Sequence, residues 1–200
     1  PENSAWKSLR GSLLNLSYGA GKVYVVPHEK INGQVQGGMC QLPFKALPTG
    51  IMRGRFHPVD GQLYGCGMYA WAGNQKKPGD FYRIRATGKP AHMPVGLKAS
   101  EKTLTVTFTD AFDATSMAHT ANWTVEAWDL KRTKNYGSKH HNQRKLKVSK
   151  VTVSNDGKTA TLTIPGLAPT WGMSVTSNLK DKNGNTVSRL IHNTIHNLGK

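Results

Sequence analysis

Two arginines, Arg53 and Arg55, flank a single glycine. In extended chain, residues two apart project from the same face, so both guanidinium groups point one way. Paired guanidiniums take carboxylates through parallel charge-assisted hydrogen bonds. The chemistry implied is binding of a polyanionic ligand, with Arg53 and Arg55 as contacts and Gly54 allowing close packing behind them. Surface arginines, or pairing with Asp60 or Asp80, is the structural alternative.

A second basic feature is the run Lys131–Lys150, which contains no acid. Lys131, Arg132, Lys134, Tyr136, Lys139, His140, Arg144 and Lys145 are its candidate polyanion- or partner-binding residues. Tyr136 and nearby Trp128 offer rings for stacking on sugar or base faces, while Lys139 and Arg144 meet anions. Docking on an acidic protein or another domain of a parent protein ranks first, an anionic glycan second. Nucleic acid ranks last, because no RRM, KH, helix-turn-helix or zinc-finger pattern accompanies the run.

Other constellations carry less. His140-His141 and the pair His192 and His196 invite a metal, but on a strand the latter two lie roughly 13 Å apart. Asp110 and Asp113 suit a turn better than a calcium site. No nucleophile–base arrangement, phosphate-cradling glycine motif or zinc-spaced Cys/His set is present. Cys40 and Cys66 read either as one disulfide or as two small buried hydrophobes. Trp123, Trp128, Trp171 and Phe108 are expected in a core, and Trp71 in a loop.

The elements that must position these residues are short strands. Ser12–Tyr18, Lys22–Val26 and Val35–Leu42 read as strands, with Asn32-Gly33 as a tight turn. Ile51–Phe56, Gln62–Met68 and Asp80–Ala86 repeat the pattern, with His57–Gly61 as a turn. After the Thr87–Pro94 linker, Thr103–Thr109 alternates cleanly with period two. A turn of helix is expected around Ala114–Ala118. Strands follow at Trp123–Trp128, Leu146–Val153, Thr159–Ile164, Gly172–Asn178 and Thr186–Ile191, and Lys131–Lys150 forms a long exposed hairpin or loop. Strand density of this kind argues a β-sandwich for the second half.

Composition agrees with a folded chain: 37% of the 200 residues are hydrophobic and 19% charged. The formal net charge is +16, a field that draws in polyanions or an acidic neighbour. No apolar run is long enough to span a membrane. The chain opens at Pro1 without an initiator Met or signal peptide, and is expected to be a processed or truncated piece of a periplasmic or extracellular protein.

The stretch Gly50–Pro90 resembles the closing blades of propeller proteins of the soluble sugar dehydrogenase kind, some of which use pyrroloquinoline quinone (PQQ). The matching features are Arg53-Gly54-Arg55, Pro58-Val59-Asp60-Gly61, Leu63-Tyr64 and Tyr82-Arg83-Ile84, with Val59 interrupting the usual Pro-Asp-Gly turn. The stretch Val95–Trp128 resembles bacterial immunoglobulin-like domains. Together they are similar to the C-terminal part of large secreted proteins of planctomycete and verrucomicrobial type. The resemblance implies an all-β chain, with partial β-propeller blades over residues 1–90 followed by an immunoglobulin-like β-sandwich over 91–200. It implies a non-catalytic part of a sugar or alcohol dehydrogenase-like parent, PQQ near Arg53 and Arg55 in that parent, and the remaining blades and a cytochrome c as partners. Only about two blades fit in this length, and no haem-binding CxxCH is present. A stand-alone module for anionic polysaccharide, or an electrostatic docking subunit of an extracytoplasmic assembly, is the alternative.

Overall fold

The computed structural model describes residues 5–69, 76–135 and 137–200. The chain is all-β, built from antiparallel sheets, none of which closes on itself. It divides into two compact units. One comprises Pro1–Val26 and Gln41–Ala91, the other Pro27–Cys40 and His92–Lys200. The division is not a single cut near residue 90, because the segment Pro27–Cys40 belongs with the C-terminal unit.

In the first unit, β1 (Leu14–Leu16) pairs with β2 (Val23–Val25) as a short hairpin. The next strand of the chain order within this unit is β5 (Arg53–Phe56), followed by β6 (Leu63–Met68) and β7 (Gly79–Ile84). These three form an up-and-down meander in the order β5-β6-β7. One face of the meander is covered. Leu63 and Gly65 are buried there, Gly54 lies against Leu16, and Trp6 meets Phe56 edge-on at 5.7 Å. Trp6 also donates to Gln62 Oε1 (3.2 Å), which accepts from the Ala86 amide as well (2.9 Å). The opposite face, which carries Arg53, Arg55, Cys66 and Phe81, is bare.

In the second unit, β3 (His28–Ile31) and β4 (Gln34–Gln41) form a hairpin. Its turn is Asn32-Gly33, as the sequence predicts. Both residues have positive φ (50° and 82°), the requirement of the two-residue turn that matches strand twist. β3 itself was not evident in the sequence, since HEKI has only one apolar residue. The second half of β4 pairs with β15 (Thr186–Ile195), which continues through β14 (Thr170–Lys180) and β10 (Trp123–Asp129) to β11 (His141–Leu146) at the edge. A second sheet runs β12-β13-β9-β8, from β8 (Pro94–Ser100), β9 (Thr103–Phe108), β12 (Lys150–Val153) and β13 (Thr159–Thr163).

Alternation in β9 explains its place. Leu104, Val106 and Phe108 are buried, while Thr105 and Thr107 face outward and exchange hydroxyl contacts with Thr161 (3.1 Å) and Thr159 (3.2 Å) of β13. Such cross-strand threonine pairs each contribute a few tenths of a kcal/mol, up to about 1. Phe108 meets Phe112 at 5.0 Å and Trp123 of the other sheet at 6.3 Å. The expected helical turn is α1 (Ala114–Ala118), capped by Asp113, whose carboxylate accepts from the Ser116 amide at 2.7 Å.

One sequence expectation is corrected here. Leu146–Val153 is not one strand. Leu146 ends β11 in one sheet and Lys150 begins β12 in the other, with a corner at Ser149, whose amide and hydroxyl both donate to the Thr163 carbonyl (2.9 and 3.1 Å). The run 131–150 is an exposed hairpin rather than a plain loop: its second half supplies β11, paired antiparallel with β10, and the start of β12.

The β3–β4 hairpin is fastened by Gln36, which is 5% exposed. Its amide donates to Glu29 Oε1 and to the Asn197 carbonyl, both at 2.8 Å, and its oxygen accepts from the His196 and Asn197 amides at 2.9 Å. Glu29 Oε1 accepts in addition from the Ala99 amide (2.8 Å). Buried polar groups fully paired in this way fix one arrangement of strands.

Candidate functional site

The bare face of β5-β6-β7 is the first candidate. Antiparallel register sets Arg53 opposite Cys66 and Cys66 opposite Phe81, and Arg55 opposite Tyr64 and Tyr64 opposite Arg83. Alternation turns all six outward. Arg53, Arg55, Tyr64, Cys66 and Phe81, with His57 at one end, line an open cleft of about 460 Å³.

The site's aromatic floor is ordered by contacts on the sheet. Tyr64 and Phe81 stack at 5.7 Å with 29° between planes. The Arg83 guanidinium sits over the Tyr64 ring at 5.7 Å. Asp60 anchors the pair, accepting from the Tyr64 hydroxyl and from Arg83, each at 2.8 Å. Its other oxygen accepts from the Gln62 amide at 2.9 Å, an Asx turn that shapes the 57–61 loop. That amide first, then the Tyr64 hydroxyl and Arg83, hold the Asp60 carboxyl below the ordinary carboxylate range. Accepting the Tyr64 proton donation is also the main reason the Tyr64 hydroxyl titrates above its usual value.

Asp60 therefore pairs with Arg83, and Asp80 with Lys77 (2.8 Å). The alternative that Arg53 and Arg55 are consumed by these carboxylates does not hold. Arg55 donates to the Gly54 carbonyl (2.9 Å), and no described residue pairs with the Arg53 guanidinium. Phe81 is 66% exposed and forms with Tyr64 an apolar part of the cleft wall. Tyr64, Phe81 and Arg83 were missed in the sequence. Spacing within β5 does not reach them, since they face the arginines only through the register of β6 and β7.

The basic run of the second unit is split by the structure. Lys131 and Arg132 line a groove of about 640 Å³ with Leu130, Thr133, Asn135, Ser138 and Trp171. His140 stacks on Trp128, with centroids 3.9 Å apart and planes at 11°. Arg144 reaches Asp129 at 3.5 Å, and Lys145 lies opposite Glu126 in the β10–β11 register. Lys134 and Lys139 are exposed. Tyr136 and Trp71 lie outside the described residues.

Trp171 corrects an expectation. It is not core but 57% exposed. In β14 Thr170, Gly172 and Met173 are buried, and the register shifts between Thr170 and Met173, which turns Trp171 outward. Its ring meets His196 edge-on at 5.3 Å, and its carbonyl accepts from the Thr194 hydroxyl at 2.8 Å.

The remaining candidates have structural partners. Asp110 Oδ2 accepts from the His92 amide (2.8 Å) and the Thr109 hydroxyl (2.6 Å), while Asp113 caps α1. His192 and His196 contact different rings, Trp128 and Trp171. Among the described residues no group of three or more metal-ligating side chains converges. Neither cysteine is in a disulfide. Cys66 is exposed, and Cys40 is buried, which pushes its thiol up to about 11. No helix among the described residues is long and apolar enough to cross a membrane.

Fold and sites together define an all-β protein with two basic, aromatic-bearing surfaces. No family model, curated protein or solved structure matches the chain.

Proposed function

We propose that this chain is a non-catalytic part of an extracytoplasmic propeller protein of the sugar or alcohol dehydrogenase kind. In this reading β5-β6-β7 supplies blade structure and an anion-recognising face, and the C-terminal unit is an immunoglobulin-like sandwich that docks on the parent or an acidic partner. The single observation that carries it is the co-facial placement of Arg53 and Arg55 beside the Tyr64–Phe81 stack.

PQQ is a planar polycarboxylate, and the residues present suit it. Two arginines on one face of a strand, their Cα atoms about 7 Å apart and neither held by a described carboxylate, would take its carboxylates. The aromatic pair would lie against its rings. When bound, the quinone accepts two electrons from the alcohol. The residues of this chain contribute binding and orientation only.

The test is sugar- or alcohol-dependent dye reduction, with added PQQ, by the longer polypeptide encoded around this segment. The expected result is activity that the isolated 200-residue chain lacks and that falls at least about tenfold in Arg53→Ala/Arg55→Ala. A longer polypeptide with no PQQ-dependent activity, or one indifferent to both arginines, rejects the reading.

A further inference from the structure

A tryptophan held by the scaffold yet mostly in water is an expensive feature, because its large apolar face stays exposed. The backbone of Trp171 is held in β14, where its carbonyl accepts from Thr194, and its ring has one aromatic neighbour, the edge of His196. The strand thus sets where the indole leaves the sheet and the His196 contact favours one ring orientation, which lowers the cost of binding.

The groove beside it has a defined chemistry. Lys131 and Arg132 supply charge, and Thr133, Asn135 and Ser138 supply hydroxyl and amide groups. The nearest acid in sequence, Asp129, accepts from Asn142 (2.9 Å) and faces Arg144. No ion pair among the described residues engages Lys131 or Arg132. A ring that stacks, polar groups that match hydroxyls, and two uncompensated cations complement one ligand class. That class has a flat apolar sugar face, several hydroxyls and a carboxylate or sulfate on each unit.

We propose that Trp171 and the groove lined by Lys131 and Arg132 bind an acidic polysaccharide, with the indole stacking on a sugar ring and the two cations taking its anionic groups. The assignment is independent of the reading given for Arg53 and Arg55, which lie in the other unit. A single oriented ring among hydroxyl-matching groups favours sugar over single-stranded nucleic acid, which uses successive aromatic platforms along a basic track.

The experiment titrates the whole chain with polygalacturonate, dextran sulfate, neutral dextran and oligo-dT at about 150 mM salt, following tryptophan emission and heat. The expected result is binding to one or both acidic glycans, and to neither neutral dextran nor oligo-dT at comparable strength. Trp171→Ala weakens it about tenfold, within the range of one stacked ring. Lys131→Ala/Arg132→Ala weakens it similarly and flattens its salt dependence. Trp171 is exposed, so its variant should keep the parent melting midpoint, and Trp171→Phe should recover part of the affinity. Equal glycan binding by parent and Trp171→Ala overturns the proposal, as does tighter binding of oligo-dT through the same three residues. Absence of binding to either acidic glycan overturns it as well.

Discussion

Trp128 and His140 lie face to face, with centroids 3.9 Å apart and 11° between their planes. The contact fastens the loop leading into β11 onto β10. His192 of β15 approaches the same indole edge-on at 6.2 Å. A third neighbour is main chain. Gly172 stands opposite Trp128 in the β10–β14 register, and a Cβ there would run into Nε1 and Cδ1 of the indole.

This packing predicts opposite kinds of damage from two small changes. His140→Ala removes a stacked pair and should cost about 0.5–1.5 kcal/mol, with faster amide exchange at Ser138 and Lys139. Gly172→Ala overfills the space and should cost about 1–3 kcal/mol, with the Trp128 ring displaced. Urea midpoints and tryptophan near-UV dichroism of the two variants separate these outcomes.

The same cluster gives the second unit a modest dependence on mild acid, small because His192 is exposed. Partial desolvation beside the Trp128 ring, and then the neighbouring His140, hold the His192 imidazole below its ordinary 6.5, although much of its surface stays in water. Below that pH the unfolded chain binds a proton that the folded chain resists, so stability rises with pH across the window. The contribution of neutral His192 is complete above 6.5 and is lost as the pH falls through its lower folded value. Denaturant midpoints should decline between about pH 7 and pH 5, and His192→Gln should make that decline shallower. An unchanged slope in the variant contradicts the assignment.

Gln36 predicts a larger loss. Gln36→Leu keeps much of the volume but leaves the His196 and Asn197 amides and the Asn197 carbonyl without their partner. Orphaning buried groups should cost about 1–3 kcal/mol. The loss should be seen as lowered stability with early exchange at the C-terminal amides, whereas Gln34→Leu, at an exposed position, should change little.

In the first unit, Gly67 is the most restrictive position on β6. A Cβ there would overlap the Gly50 carbonyl oxygen and crowd Thr49 Oγ1. Gly67→Ala should destabilise the unit by about 1–3 kcal/mol and perturb the Thr49–Tyr82 hydroxyl contact (2.9 Å). Thermal unfolding of the variant checks this.

Strand order along the chain was legible wherever one face is apolar. β9 shows it plainly, since Leu104, Val106 and Phe108 alternate with threonines, and the short helical turn expected at Ala114–Ala118 is α1. β3 and β8 were not legible. HEKI is too polar, and PVGLKAS carries a proline and a glycine that usually mark turns. Nor does local pattern reveal that Pro27–Cys40 joins the C-terminal unit, because that depends on Gln36 and on pairing across more than 150 residues. Arg53 and Arg55 were readable from spacing alone. Their aromatic companions Tyr64 and Phe81 required the register of two further strands. Trp171 departs from the core position its residue type suggests because the strand shifts register between Thr170 and Met173.

β11 ends its sheet with His141, Asn142, Gln143, Arg144 and Lys145 all exposed. An open rim of amides and carbonyls would otherwise recruit the strand of a second molecule, and like charge on the approaching copy repels it. That guard is only as good as the charge is bare. A flexible polyanion lying along this rim would neutralise it and let two rims meet, so the protein should turn cloudy near charge equivalence with such a polymer and clear again when either component is in excess.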